Sequence, residues 1–304
     1  MPTLSTAYST RAPAKINLFL DIVGGRPGGY HEIRTVLRPI ELADEVQLRL
    51  RGDGHITFSC DDPSLPSGAE NLAVKAALAL QEAFPGRIPG CDISLGKRIP
   101  SGAGLGGGSA DAAAILRLLR EAANLDATDE ALAHVAANVG SDAPAMAAGG
   151  TVEASGRGEI LKPLANRCEE GGVVLVCPAA SVSTRDAYRW WDEDGAPRTR
   201  ATAGQMAEAL ARGDWGGVVE ACENAFQEII ERRVPEVASA RRALIEAGCA
   251  KAVMTGSGAA VFGLTPSLDE AWRAADRLAG RFPLVTAVPF RVPPLPAITH
   301  LSNV

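Results

Sequence analysis

The chain has 304 residues, 46% hydrophobic and 22% charged, with a formal net charge of −6 at pH 7. That apolar fraction supports a real core and argues against global disorder, while the acidic balance, without any Lys/Arg run, argues against nucleic-acid binding. Six scattered cysteines without CxxC or Cys/His pairing point away from zinc and disulfides. With no apolar leader or bilayer-length run, the expectation is a soluble, cytoplasmic chain of two modest domains or one large one.

Ala14 to Ile22 alternates: Ala14, Ile16, Leu18, Leu20 and Ile22 face one way, and Lys15, Asn17 and Asp21 the other, as in a strand. Its polar face is either solvated or points Lys15 and Asn17 together into a cleft. The turn-rich Gly24 to His31 follows and delivers Tyr30 and His31 side by side. They are either a loop anchor with an incidental histidine or a stacking face beside a donor and acceptor for a heterocycle edge. Glu45–Arg51 and His55–Cys60, joined by Gly52-Asp53-Gly54, read as two antiparallel strands with His55 on the surface. Asn71 to Phe84 is a helix that Pro85-Gly86 ends, with Asn71 as a candidate cap.

Cys91, Ile93 and Leu95 form a half-buried strand leading into Ile99 to Ala114, where five glycines fall within seven residues. Ala112 to Leu119 then reads as a helix, with Ser109 and Asp111 suited to its cap and first-turn acid. A glycine-rich turn opening a helix presents free N–H groups and the positive end of a macrodipole, which binds phosphate; the bland alternative is a flexible linker. The loop lacks the Gly-Lys-Ser/Thr of a P-loop and the spacing of a dinucleotide fingerprint.

Thr128 to Val139 is a helix ended by Gly140, after which Asp142 sits beside Pro144 as either a cap or a well-held acid. Met146 to Gly158 reads as strand and turn, and a boundary falls near Lys162 to Gly172. Beyond it come a strand at Val173–Cys177, a polar and aromatic stretch at Thr184–Trp191, and a loop at Asp192–Arg200. Helices follow at Ala203–Ala211, Trp215–Glu231 and Val237–Ala247. Strands at Lys251–Met254 and Ala259–Leu264 flank Thr255-Gly256-Ser257-Gly258, and a helix at Ser267–Ala279 precedes a strand at Leu284–Val288. This is the order of a ferredoxin-like split βαβ unit; the chain as a whole is α+β.

Pro100 to Ala110, with its Gly-Leu-Gly core, and Thr255 to Gly258 resemble the nucleotide loop and the C-terminal glycine turn of the GHMP kinases. Within that family, Ala12 to Leu20, Gly29-Tyr30-His31, Gly104 to Ser109 and Gly140 to Pro144 are similar to the members acting on a cytidine diphosphate-linked methylerythritol. The resemblance implies a two-domain fold. A ribosomal-protein-S5-domain-2-like nucleotide and catalytic domain would span 1–163, and a ferredoxin-like domain completing the substrate cleft 164–304. It also implies ATP-dependent phosphorylation of the 2-hydroxyl of that substrate, in the non-mevalonate isoprenoid precursor pathway. Lys15 and Asp142 become the catalytic pair: Asp142 orients the hydroxyl and accepts its proton, and Lys15 stabilises the developing charge. Asn71 and Lys97 would lie near the adenosine, while Pro100, Ser101, Gly102, Ala103, Gly104, Leu105, Gly106, Gly107, Gly108, Ser109 and Ala110 wrap the ATP phosphates. Asn17, Tyr30, His31 and Tyr188 would meet the substrate, and Ser109 would be a ligand of Mg²⁺ by analogy with other phosphate loops. Partners are the small molecule alone, with no nucleic acid or membrane, and the chain is a monomer or weak homodimer. Two rival readings remain: a mevalonate- or homoserine-type GHMP kinase, against which Tyr30-His31 argues, and a non-catalytic nucleotide-binding module, against which Lys15 with Asp142 argues.

Overall fold

The structure is a computed structural model that describes residues 6–25, 31–195 and 199–301. It opens with two long strands, β1 (Ala7–Gly25) and β2 (His31–Arg51), paired antiparallel along their length. Their register shifts between Pro13 and Lys15, between Asn17 and Phe19, and between Ile22 and Gly24. Such bulges bend a strand and re-aim its side chains. The first two bracket Lys15 to Asn17. Ala14 through Leu20 are all buried, so the polar face of this strand is not solvated but covered.

β3 (Ile56–Cys60), α1 (Leu72–Ala83), β4 (Gly90–Gly96), α2 (Gly107–Ala122), α3 (Asp129–Val139), α4 (Ala143–Ala148), β5 (Val152–Gly156) and β6 (Ile160–Pro163) complete the first half. The main path of the sheet runs β12-β1-β2-β4-β3, with β5 on the N-terminal part of β2 and β6 on β5. β3 is therefore not the hairpin partner of β2. β4 inserts between them, antiparallel to β2 and parallel to β3, and the exposed Gly52-Asp53-Gly54 turn serves a wider crossing. His55 is exposed, as expected. α1 to α3 cover one sheet face with a core of Leu80, Ile93, Ile115, Leu116, Leu119 and Leu132. The segment expected as strand and turn from Met146 begins inside α4, which Pro144 starts at a position where its missing N–H costs nothing.

The second half runs β7 (Gly172–Cys177), α5 (Thr184–Glu193), α6 (Ala203–Arg212), α7 (Trp215–Ala221), β8 (Glu223–Asn224), α8 (Gln227–Arg233), α9 (Pro235–Glu246), β9 (Lys251–Met254), β10 (Val261–Thr265), α10 (Leu268–Leu278), β11 (Leu284–Pro289) and β12 (Thr299–Leu301). Its sheet has the order β11-β7-β10-β9 and is antiparallel throughout, the ferredoxin-like arrangement. Val173 and Leu175 pack toward Ile16, Leu18, Val36 and Ile40 of the first sheet. Val174 and Val176 pack toward α9 and α10, as the two-residue period of a strand requires. The helix expected over Trp215–Glu231 is broken: Glu223 and Asn224 leave it to pair in parallel with Phe19 and Leu20.

Candidate active site

Where the two sheets meet, a cleft of about 570 Å³ is lined by Lys15, Asn17, Thr35, Lys97, Pro100 through Ser109, Asp142, Tyr188 and Gly256. The glycine loop is tied down at its middle from both halves of the chain: Lys15 donates its backbone N–H to the Leu105 carbonyl (2.9 Å), and Ala260 donates to the Ala103 carbonyl (3.0 Å). Gly106 is the N-cap of α2 in the left-handed region (φ 71°). A Cβ there would sit 3.0 Å from Lys15 Cγ, so only glycine lets the loop lie against that lysine. At Gly104 (φ 78°) a Cβ would fall 2.2 Å from the Thr255 carbonyl, which is how closely the two glycine-rich turns interlock.

α2 begins earlier than the composition suggested. Gly106, not Ser109, is its cap, so the start of the helix opens on the cleft without a side-chain cap. Asp111 is not a first-turn acid but lies deeper, buried against Lys97. Ala110 sits just behind the cleft, with its methyl in the core and its N–H on the Gly106 carbonyl.

Lys15 and Asp142 come together from distant parts of the chain: Nζ lies 3.2 Å from Asp142 Oδ2. Asp142 starts α4 without capping it by its side chain, so its carboxylate turns to the lysine. Lys15 Nζ also donates to Asn17 Oδ1 (2.7 Å). The Asn17 amide is engaged on both sides, taking these donors at Oδ1 and donating through Nδ2 to Thr35 Oγ1 (2.8 Å). Lys97 lies at the cleft edge with its ammonium held by Asp44 and, at 2.6 Å, by Asp111 Oδ2. Asp44 Oδ1 also accepts the backbone N–H groups of Arg98 and Ile99, which fixes the entry to the glycine loop. Burial, partly offset by Lys97 and reinforced by the Asp44 charge, pushes the Asp111 carboxyl up to about 7. The same burial acts to lower Lys97, but its two carboxylates outweigh it and the ammonium is held above the usual lysine range.

Asn71 is the cap of α1, its side chain accepting from the Ala73 N–H (2.9 Å) and donating to the Pro66 carbonyl (2.9 Å). Tyr30 lies outside the described residues. His31 and Tyr188 are brought together as a stacked pair, with centroids 4.6 Å apart at 16°. Asp192 holds His31 at Nε2 (2.7 Å), and Trp191 and Phe226 add edge contacts. Tyr188 comes from α5, a helix where only a polar and aromatic stretch was expected. Burial, with the Asp142 charge second, pushes its hydroxyl up to about 12. Among the described residues no group of three His, Cys, Asp or Glu side chains could hold a metal ion.

Sequence reasoning missed three neighbours. Thr35 lies in a stretch without a clear periodic signal, and the hydroxyl of Thr255 was hidden inside a glycine turn. Asn224 was buried in an apparent helix; its Nδ2 donates to the carbonyls of Met254 (2.7 Å) and Gly256 (2.9 Å), which is why that helix breaks.

Comparison with known proteins agrees with this geometry. The family profile described as "GHMP kinases N terminal domain" matches residues 71–150, and "GHMP kinases C terminal" matches 206–284. The chain is 43% identical over 266 residues to a 4-diphosphocytidyl-2-C-methyl-D-erythritol kinase from Pelotomaculum thermopropionicum, covering 88% of this chain and 92% of the relative. A crystal structure of 4-(cytidine 5'-diphospho)-2C-methyl-D-erythritol kinase superposes with a TM-score of 0.77 at 36% identity, over 92% of this chain and 98% of that one. A homoserine kinase from Cytophaga hutchinsonii shares the fold, with a TM-score of 0.73 at 18% identity over 98% of this chain and 99% of that one. The chain belongs to the GHMP kinases, among the 4-diphosphocytidyl-2-C-methyl-D-erythritol kinases.

Proposed function

We propose that this cleft moves the γ-phosphoryl group of ATP to the 2-hydroxyl of 4-diphosphocytidyl-2-C-methyl-D-erythritol. Residues 1–163 would hold ATP and the catalytic pair, and 164–304 would complete the substrate side. The supporting observation is the 3.2 Å contact between Lys15 and Asp142, set directly over Gly106 of the glycine loop. Phosphoryl transfer is chiefly positioning plus charge stabilisation. Asp142 orients the acceptor hydroxyl and takes its proton as the oxygen attacks phosphorus. Lys15 meets the charge that develops on the transferring group, and the first-turn N–H groups of α2 hold the remaining phosphates. His31 and Tyr188 face the cytosine, and their stack separates to admit the ring.

The donor set fits Mg²⁺. Ser109 supplies a hydroxyl in the cleft where, among the described residues, no cluster of carboxylates gathers, which suits a hard cation that keeps phosphate oxygens and water as its other ligands. Bound there, the ion would neutralise phosphate charge. The test is ATP turnover with the cytidine-diphospho alcohol, its cytidine-free analogue, mevalonate and homoserine. Turnover with the first alone supports the assignment. Preferential turnover of mevalonate or homoserine, or no ADP with any alcohol, overturns it.

A further inference from the structure

Among the described residues Lys15 makes two polar contacts through its ammonium, with Asp142 and with Asn17, and the second is directional. Its ammonium can only donate, so the Asn17 amide must turn its oxygen toward it. What decides that orientation lies one residue further out. Thr35 is 2% exposed, and its hydroxyl proton is committed to the Phe19 carbonyl at 2.6 Å. The oxygen therefore has only lone pairs left and must accept, which it does from Asn17 Nδ2 at 2.8 Å. A flipped amide would set its oxygen against those lone pairs and its NH₂ against the Lys15 ammonium, two repulsions in a buried site. From the second sheet, Thr255 Oγ1 donates to Asn17 Oδ1 (3.1 Å) and accepts the Asn17 backbone N–H (3.0 Å), in agreement with the same orientation. The register shifts on either side leave Lys15–Asn17 as a short paired stretch opposite Leu37–Pro39, and the side-chain bonds add to that pairing in fixing the two polar side chains.

We propose that Thr35 is a positioning residue for the transfer: through the Asn17 amide it sets the place of the Lys15 ammonium between Asn17 and Asp142. It touches neither substrate nor phosphate in this role. The inference rests on Lys15 acting in the transfer, and the test separates the two. Thr35→Val keeps the shape but removes the acceptor, and Thr35→Ser keeps the hydroxyl. Kcat with the cytidine-diphospho alcohol should fall roughly tenfold in Thr35→Val, the upper end of the scale of one neutral hydrogen bond, with KM for ATP unchanged. Thr35→Ser should restore kcat to within about twofold. In a Lys15→Met background, Thr35→Val should add no further loss, because the group it positions is gone. Wild-type kcat in Thr35→Val, an equal loss in Thr35→Ser, or a full additional loss on top of Lys15→Met overturns the relay. A Lys15→Met enzyme with unchanged kcat overturns instead the role of Lys15. Should Thr35→Val not fold, Thr35→Ala and Thr35→Ser are compared in the same cycle, with the same outcomes deciding.

Discussion

Lys15 and Asp142 share one ion pair but not one environment: the lysine side chain is 5% exposed and the aspartate 32%. The ammonium is held from behind and the carboxylate is free to meet an incoming hydroxyl, the division expected of a fixed electrostatic group and a mobile proton acceptor. Asp142→Asn and Lys15→Met should each lower kcat by about 10²-fold or more while ATP still binds, measured by steady-state turnover beside nucleotide titration. Asp111 carries a different prediction. The charged groups facing it are Lys97 and Asp44, and its carboxyl is raised to about 7 in the folded chain. A raised acid favours the folded state in its protonated form, so its contribution is complete below the ordinary carboxylate range and is lost as pH rises toward about 7. Melting temperatures from pH 4 to 8 should therefore fall more steeply in the wild type than in Asp111→Asn. Parallel curves would mean that Asp111 titrates in its ordinary range.

At the scale of elements, α1 tests what Asn71 does. Its side chain is occupied by the Ala73 N–H and the Pro66 carbonyl, so its first role is to cap. Asn71→Ala should cost about 1 kcal/mol in chemical denaturation, and Asn71→Ser most of that less, with KM for ATP moved little in either. Gly106→Ala should act on the chemistry instead. The methyl enters a left-handed residue and meets Lys15 Cγ at 3.0 Å, so kcat should drop while the melting curve shifts by no more than the roughly 1–2 kcal/mol of that backbone strain. Local signals made several elements legible: Thr128 and Ser267 cap helices that the sequence places well, and the alternation of Lys15 to Ile22 is a real strand. The apolar pattern over Trp215–Glu231 concealed a break because it is imposed by tertiary bonds, from Asn224 to two carbonyls beyond α9. The β2–β3 hairpin was misread for a related reason, since a Gly-Asp-Gly turn marks a reversal but not which strand fills the space beside it.

For the molecule as a whole, Lys15 and Asp142, the proposed catalytic pair, could be singled out because each stands inside a distinctive ordered segment, and the structure brings them into contact. Thr35 and Thr255 were not, because a buried hydroxyl has no pattern in sequence; only the meeting of two sheets shows its partner. The cleft is lined from both halves of the chain, so ATP with the acceptor should protect backbone amides of β1 and of the Gly256–Ser257 turn alike in hydrogen exchange; protection confined to the first half would place the ligand elsewhere. The route of the chain between the sheets bears on this. It passes from the first sheet to the second between β6 and β7, comes back to the first at β8 beside β1, and returns again between β11 and β12, where the Pro296 and Ala297 carbonyls are held by Arg117 (2.6 Å) and Thr10 (3.0 Å). The second half is thus tied to the first at three places along the chain, and a shared core of Ile16, Leu18, Val173 and Leu175 lies between them. The Thr255 hydroxyl that meets Asn17 therefore sits on a seam held closed by packing and by backbone ties, not by that hydrogen bond alone.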